Sequence, residues 1–345
     1  MKKALIVLIL LIIFSFKQKD NPVCIEVKLH EKANFPVGVA INVEKLKTEE
    51  NYRGIVLSQF NSITAEKIMK AEYIHPEKNS YNFSETDHLI EFCKYKNKRL
   101  HGHTLVWHKS LPAWMENFKG SKEEWEALLK DHIQTIINHC KGYVKSWDVV
   151  NEAFNNDGSL RKNIWLKNIG ESYIEKAYTY ARQADSTAIL FYNDHSLENY
   201  GTKLQAVLKF LGKLKSKGVK IDGIGMQMHV TIDYPYISDI NQAAINIQEE
   251  GYLVHYSELD VSLITGHNFF SNKSRLLKLQ KDRTELIVEG YMKLNSENRF
   301  GITFWGVSDN DSWLTENRSR ACPLLYDVNY KVKPAYCGFL EALNK

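Results

Sequence analysis

Beyond residue 36 the chain alternates between two hydrophobic rhythms. Short runs rich in Val, Ile and aromatic residues suit strands packed on both faces. They fall at Val37–Ile41, Gly54–Phe60, Arg99–Trp107, Ser146–Asn151, Ala188–Tyr192, Gly223–His229, Leu253–Leu259 and Ile302–Trp305. Between them, apolar positions recur at helical spacing. Thr202–Gly218 is the clearest stretch: Leu204, Val207, Leu208, Leu211 and Leu214 share one face, and Gly218 closes the helix as a cap. Ser172–Asp185 repeats the pattern through Ile174, Ala177, Tyr178, Ala181 and Ala184. Eight strand–helix repeats with no linker or composition shift predict one α/β domain, a (β/α)8 TIM barrel. A doubly wound sheet would need a Gly-rich phosphate loop after an early strand. Gly223-Ile224-Gly225 is too short and too late for that.

Composition changes this picture little. With 345 residues, 44% hydrophobic and 25% charged, the chain reads as an ordinary globular protein. A net charge of +4, spread without an arginine cluster or dense lysine block, gives no argument for a nucleic-acid partner. Aromatic residues make up 12% of the chain, including 18 Tyr and 7 Trp. They suit sugar stacking as well as a core.

The N-terminus departs from the rest. Met1-Lys2-Lys3 precedes an unbroken apolar run from Ala4 to Phe16, the size of a signal-peptide core and short for a membrane span. Residues 1–23 are therefore expected to be a signal peptide and flexible lead-in, residues 24–345 the barrel, and the protein secreted or periplasmic. A lipoprotein or retained membrane anchor is the less favoured alternative, because Asn21-Pro22-Val23-Cys24 lacks the small residues that usually precede a lipidated cysteine. The five cysteines, Cys24, Cys93, Cys140, Cys322 and Cys337, form no C-x-x-C pair and no disulfide framework. Cys322 and Cys337 are candidates to pair, with buried free thiols as the alternative. A monomer is expected.

In a barrel of this kind the reactive groups belong at the C-terminal ends of the strands. There the sequence is polar. Strand three ends with His103, Trp107 and His108; strand four with Asn151 and Glu152; strand five with "FYNDH"; strand six with Gln227 and His229; strand seven with Glu258 and Asp260; strand eight leads to Trp305, Asp309 and Trp313. Strands four and seven face each other across a barrel mouth. Glu152 and Glu258 would then form the carboxyl pair that glycoside hydrolysis requires, one to protonate the leaving oxygen and one to attack or to activate water. Structural salt bridges are the bland alternative for either glutamate. A catalytic metal on His103, His108, Glu152, His229, Glu258 and Asp260 is disfavoured, since no pair has a ligand spacing such as H-E-x-x-H; no metal or cofactor is expected. A serine-hydrolase elbow, G-x-S-x-G, is absent from the sequence.

These segments together resemble glycoside hydrolase family 10, the retaining endo-β-1,4-xylanases, from about Gly38 to Leu340. The resemblance is carried by "FNSITAEKIMK" (Phe60–Lys70), "GHTLVWH" (Gly102–His108), "WDVVNEAF" (Trp147–Phe154), "YND" (Tyr192–Asp194), "GIGMQMH" (Gly223–His229), "SELD" (Ser257–Asp260), "FWGVSDNDSW" (Phe304–Trp313) and "LLYDVNYKVKPAY" (Leu324–Tyr336), in the family's order. It implies that Glu152 is the acid/base and Glu258 the nucleophile. Asn151 would bond the sugar 2-hydroxyl, His229 would hydrogen-bond Glu258, and Asp260 would orient His229. Glu66, Lys70, His103, Gln227, Trp107, Trp305 and Trp313 would bind sugar on the non-reducing side of the cut. A donor role for Glu152 predicts a raised pKa in the free protein, falling once Glu258 is esterified.

Three positions depart from the family pattern. Lys67 stands where it usually has Asn, Ala71 where Trp is common, and His195 where Tyr is common. They suggest altered subsites, and so a member tuned to another β-1,4-glycan or to short xylo-oligosaccharides as an alternative. A sugar-binding barrel without catalysis is the alternative of another class. Retention of Glu152, Glu258, His229 and Asp260 together speaks against it.

Overall fold

The computed structural model describes residues 24, 27–265, 272–314 and 320–345. The apolar run at Ala4–Phe16 lies outside the described residues. No helix among those described is long and apolar enough to cross a membrane.

Among the described residues the strands are β1 Val37–Ile41, β2 Ser62–Ala65, β3 Arg99–Val106, β4 Val144–Asn151, β5 Ile189–Asp194, β6 Gly223–Met226, β7 His229–Thr231, β8 Leu253–Ser262 and β9 Arg299–Phe304. All neighbours pair in parallel. The order runs β6-β5-β4-β3-β2-β1-β9-β8, and a β6–β8 pairing closes the ring. The short β7 continues the sixth stave beyond β6 and pairs with the far end of β8, His229 opposite Asp260. Eight staves inside a helical shell make the expected (β/α)8 barrel.

The strands form where apolar residues can be buried on both sides. Val37, Val39 and Ile41 in β1, Val144, Trp147, Val149 and Val150 in β4, and Val254, Tyr256 and Leu259 in β8 are all essentially without solvent contact. The helices present one apolar stripe to this wall. Thr202–Ser216 buries Leu204, Val207, Leu208, Leu211 and Leu214, and the chain leaves it through Gly218 at φ +86°, a conformation that favours glycine. Ser172–Ala184 buries Ile174, Ala177, Tyr178, Ala181 and Ala184 in the same way. Lys122–Cys140 starts on a reciprocal cap, Ser121 accepting from the Glu124 amide and Glu124 accepting from the Ser121 amide.

Two expectations are corrected. Gly54–Phe60 is not a strand; it belongs to the helix Glu50–Gln59, and the second strand is Ser62–Ala65. Its short apolar run Ile55-Val56-Leu57 fits either period. The buried side chains are Tyr52 and Val56, four apart, while Ile55 and Leu57 are partly exposed. The true strand was masked by Ser62 and Thr64, polar residues buried in the wall. The disulfide joins Cys337 to Cys24 rather than to Cys322, with the two α-carbons 5.4 Å apart. Cys93, Cys140 and Cys322 are free thiols, the first two buried.

Candidate active site

The C-terminal mouth of the barrel opens into a cleft of about 700 Å³. Eleven of the twelve residues singled out in the sequence line it: Glu66, Lys70, His103, Trp107, Asn151, Glu152, Gln227, His229, Glu258, Trp305 and Trp313. Asp260, the twelfth, lies behind His229. Asp309, also at a strand end, points away and forms a buried pair with Lys333 at 2.9 Å.

Glu258 comes from the middle of β8 and is buried, with 5% of its surface exposed. Two neighbours fix it. Asn193 Nδ2 donates to its Oε1 at 2.7 Å. His229 Nε2 lies 3.3 Å from its Oε2, and the other ring nitrogen, Nδ1, lies 2.9 Å from Asp260 Oδ2. Trp313 Nε1 also donates to Asp260 Oδ2, at 3.0 Å. Burial works against a charge on His229, but Asp260 and then Glu258 more than reverse it, so the ring's pKa is held well above the usual imidazole range. The ring is an imidazolium between two carboxylates.

Asn193 can reach Glu258 because of what faces it. A β-carbon on Gly225 would sit 2.2 Å from Asn193 Oδ1. Glycine thus makes the room, and Ser257 Oγ donates to the same oxygen at 2.6 Å.

Glu152 follows the last residue of β4 and adopts φ +55°. A left-handed backbone at a non-glycine residue costs roughly 1–3 kcal/mol and clusters at functional sites. Its amide still donates to the Asn193 carbonyl at 2.9 Å, which anchors the kink. Met228, between β6 and β7, has φ +60°. It breaks the sixth stave, and the flanking residues divide their work: Gln227 serves Glu152 and His229 serves Glu258. Gln227 Nε2 donates to Glu152 Oε1 at 3.2 Å. His108 Nε2 approaches Glu152 Oε2 at 3.9 Å.

The expectation of a raised Glu152 pKa does not hold. Burial pushes it up, but the Gln227 hydrogen bond, the His195 and Lys109 side chains and a Trp107 hydrogen bond together bring it below the ordinary value. The donors that face the carboxylate stabilise its charge.

The glycone-side residues named from the sequence form one wall. Lys70 Nζ stands over the Trp107 ring at 4.9 Å and the Trp305 ring at 5.9 Å, and burial depresses its pKa. His103 packs on Trp305, their ring centres 5.1 Å apart. Asn151 fits with its oxygen accepting from Trp107 Nε1 at 3.2 Å and its nitrogen donating to the Asn193 carbonyl at 3.1 Å.

Several cleft residues escaped the sequence reading. Lys45 and Asp311, paired at 2.5 Å, lie 266 positions apart, and nothing local links them. Lys109, Arg161, Ser196 and Glu198 also line the cleft, together with His195. Asn193 was given no role of its own, and its strand-end position was the available signal. Below the floor, Asp148 in mid-β4 joins His103 Nδ1 at 2.8 Å to His101 Nε2 at 3.1 Å. Among the described residues no group of three or more His, Cys, Asp or Glu side chains is placed to hold a metal ion.

Comparison with known proteins agrees with this geometry. The sequence model of Glycosyl hydrolase family 10 matches residues 26–342. Endo-1,4-beta-xylanase B of Thermotoga neapolitana is 37% identical over 347 residues, covering 99% of this chain and 97% of that protein. Endo-beta-1,4-xylanase Xyn10C of Cellvibrio japonicus is 36% identical over 341 residues, covering 90% of this chain and 56% of that protein. The crystal structure of xylanase 10B from Thermotoga petrophila in complex with xylobiose superposes with a TM-score of 0.86 at 37% identity, covering 92% of this chain and 97% of that one. A family match over nearly the whole barrel, joined to two buried glutamates lining one cleft, places the chain in glycosyl hydrolase family 10.

Proposed function

We propose that this chain is an endo-1,4-β-xylanase that cleaves internal bonds of xylan with retention of configuration. Glu258 is the nucleophile and Glu152 the acid/base. The observation that carries the assignment is the setting of Glu258, held by Asn193 on one oxygen and by the His229 imidazolium on the other, in the same cleft as Glu152.

The chemistry follows from those settings. Glu258, held on one oxygen by Asn193 and on the other by His229, is placed to attack the anomeric carbon and to leave again when the ester is hydrolysed. Glu152 gives its proton to the departing oxygen as the ester forms. It then takes a proton from the water that breaks the ester, which returns Glu258 as a carboxylate.

The lowered pKa of Glu152 gives Gln227 a second role. A sugar hydroxyl that engages the Gln227 amide withdraws the leading hydrogen bond to Glu152, and the sugar expels water. Both changes raise the pKa of Glu152. Substrate thereby prepares its own acid.

The test is product analysis on xylohexaose with Glu152→Ala and Glu258→Gln. Removing the nucleophile should cost about four orders of magnitude or more in kcat. The Glu152→Ala protein should recover turnover of an activated aryl xyloside with added azide, giving a β-configured product. A β-configured azide product from the Glu258 variant instead would reverse the two roles. Binding without turnover in the wild type would leave a carbohydrate-binding barrel.

A member tuned to another β-1,4-glycan or to short oligosaccharides is the second reading, favoured by Lys67 in the cleft wall. Relative rates on β-glucan, cellulose and xylan decide it. Export from the cytosol is also part of the proposal. The run Ala4–Phe16 and the Cys24–Cys337 bridge support it, since disulfides persist in oxidising compartments.

A further inference from the structure

The cations along one wall of the cleft differ in what holds them. Lys45 is tied to Asp311 at 2.5 Å. Lys70 is buried over two tryptophan rings. Lys67 has neither. Its side chain is 51% exposed, and the carboxylate beside it, Glu66 Oε1, stands at 3.8 Å, beyond hydrogen-bond reach. An ammonium offers three donors and no acceptor. A neutral xylose unit gives it ordinary hydroxyls, and a carboxylate gives it a charge-assisted bond.

We infer that Lys67 is a specificity-determining residue that selects xylan carrying a hexuronic acid, its ammonium pairing with the uronate carboxylate on the glycone side of the cleft. The inference rests on the xylanase reading given above. It does not require a new reaction, since the bond cleaved is the same. Lys70 and Lys45 are held by their own partners and Lys109 stands over the Trp107 ring at 5.5 Å, so the selectivity is assigned to Lys67.

The size of the effect follows from exposure. Half-exposed ion pairs contribute about 0.2–1 kcal/mol, which is about a 1.4- to 5-fold change in a rate ratio. The pairing must also fade at high salt, because charges are screened over about 3 Å at 1 M ionic strength.

The experiment compares kcat/KM for neutral xylohexaose with that for the same oligosaccharide bearing one glucuronic acid, at low salt and at 1 M NaCl. Wild type, Lys67→Arg, Lys67→Asn and Lys67→Glu are measured side by side. The acidic-to-neutral ratio should be about 2- to 5-fold higher in wild type than in Lys67→Asn, retained in Lys67→Arg and lowest in Lys67→Glu. High salt should bring the four ratios together. Equal ratios in wild type and Lys67→Asn at low salt, with xylohexaose still cleaved, overturn the role of Lys67 and leave the xylanase reading standing. Failure of wild type to cleave either substrate overturns both.

Discussion

Two imidazole–carboxylate clusters occupy the axis of this barrel, and they are built in opposite proportions. At the mouth, one ring, His229, lies between two carboxylates, Glu258 and Asp260. Deeper in the barrel, one carboxylate, Asp148, lies between two rings, His101 and His103, the second of which also reaches the cleft. In the lower cluster burial opposes the Asp148 charge, yet the His101 and His103 rings overcome it and hold the acid well below the usual carboxylate range. That charge is enclosed and has nothing left to offer. In the upper cluster the single imidazolium cannot neutralise both partners, and Glu258, the one that faces the cleft, stays available. The difference lies in which group is in excess. Excess carboxylate gives a nucleophile, and excess imidazole gives a support.

The strongest way to break this contrast is in the lower cluster. Asp148→Asn should destabilise the fold by about 3–5 kcal/mol, because it leaves two buried rings without their counter-charge. Denaturant unfolding measures the loss, and the folded fraction should keep kcat within about tenfold. A large fall in kcat with unchanged stability would erase the distinction between support and catalyst.

Asp260→Asn should act on both counts. It breaks a buried pair and so also costs stability, and because His229 loses the partner that raises its pKa, kcat should fall about 10- to 100-fold. The pH profile carries the diagnosis. A weaker imidazolium deprotonates at lower pH, so the basic limb of kcat should move down in the variant. An unmoved limb would show that Asp260 only fills space.

The smallest effect comes from a third carboxyl that has no ring in contact. Glu198 is 3% exposed, accepts one hydrogen bond from the Ser196 amide at 3.1 Å, and has a second oxygen without a partner. Burial pushes its pKa up to about 7. A folded pKa above the unfolded one means stability that is complete below about pH 4.5 and is lost as pH rises through about 7. Glu198→Gln should therefore match wild type in Tm at pH 4 and exceed it by several degrees at pH 8. A constant difference across that range would mean that Glu198 does not titrate there.

How far the sequence discloses this architecture depends on where each residue sits. Glu152, Gln227, His229 and Glu258 were legible because polar side chains at the ends of apolar runs are conspicuous, and because a barrel brings those ends together. Asp148 was hidden by lying inside such a run, where only the pairing of β3 with β4 sets it against His103. β2 was hidden because it is four residues long and buries Ser62 and Thr64. The Lys45–Asp311 pair joins elements from opposite ends of the chain, and no periodicity encodes it. The state of Glu152 was missed for a different reason. Its role points to a raised pKa, while the donors around it, Gln227 first, lower it.

The Cys24–Cys337 bridge has a topological consequence. Its half-cystines are 313 positions apart, so nearly the entire barrel lies between them. The bridge closes a covalent loop that carries every described strand of the barrel. A protease that cuts once between the two cysteines opens the loop without dividing the molecule. Such a nicked chain would travel as one species on a denaturing gel and part into two only when a reductant is added.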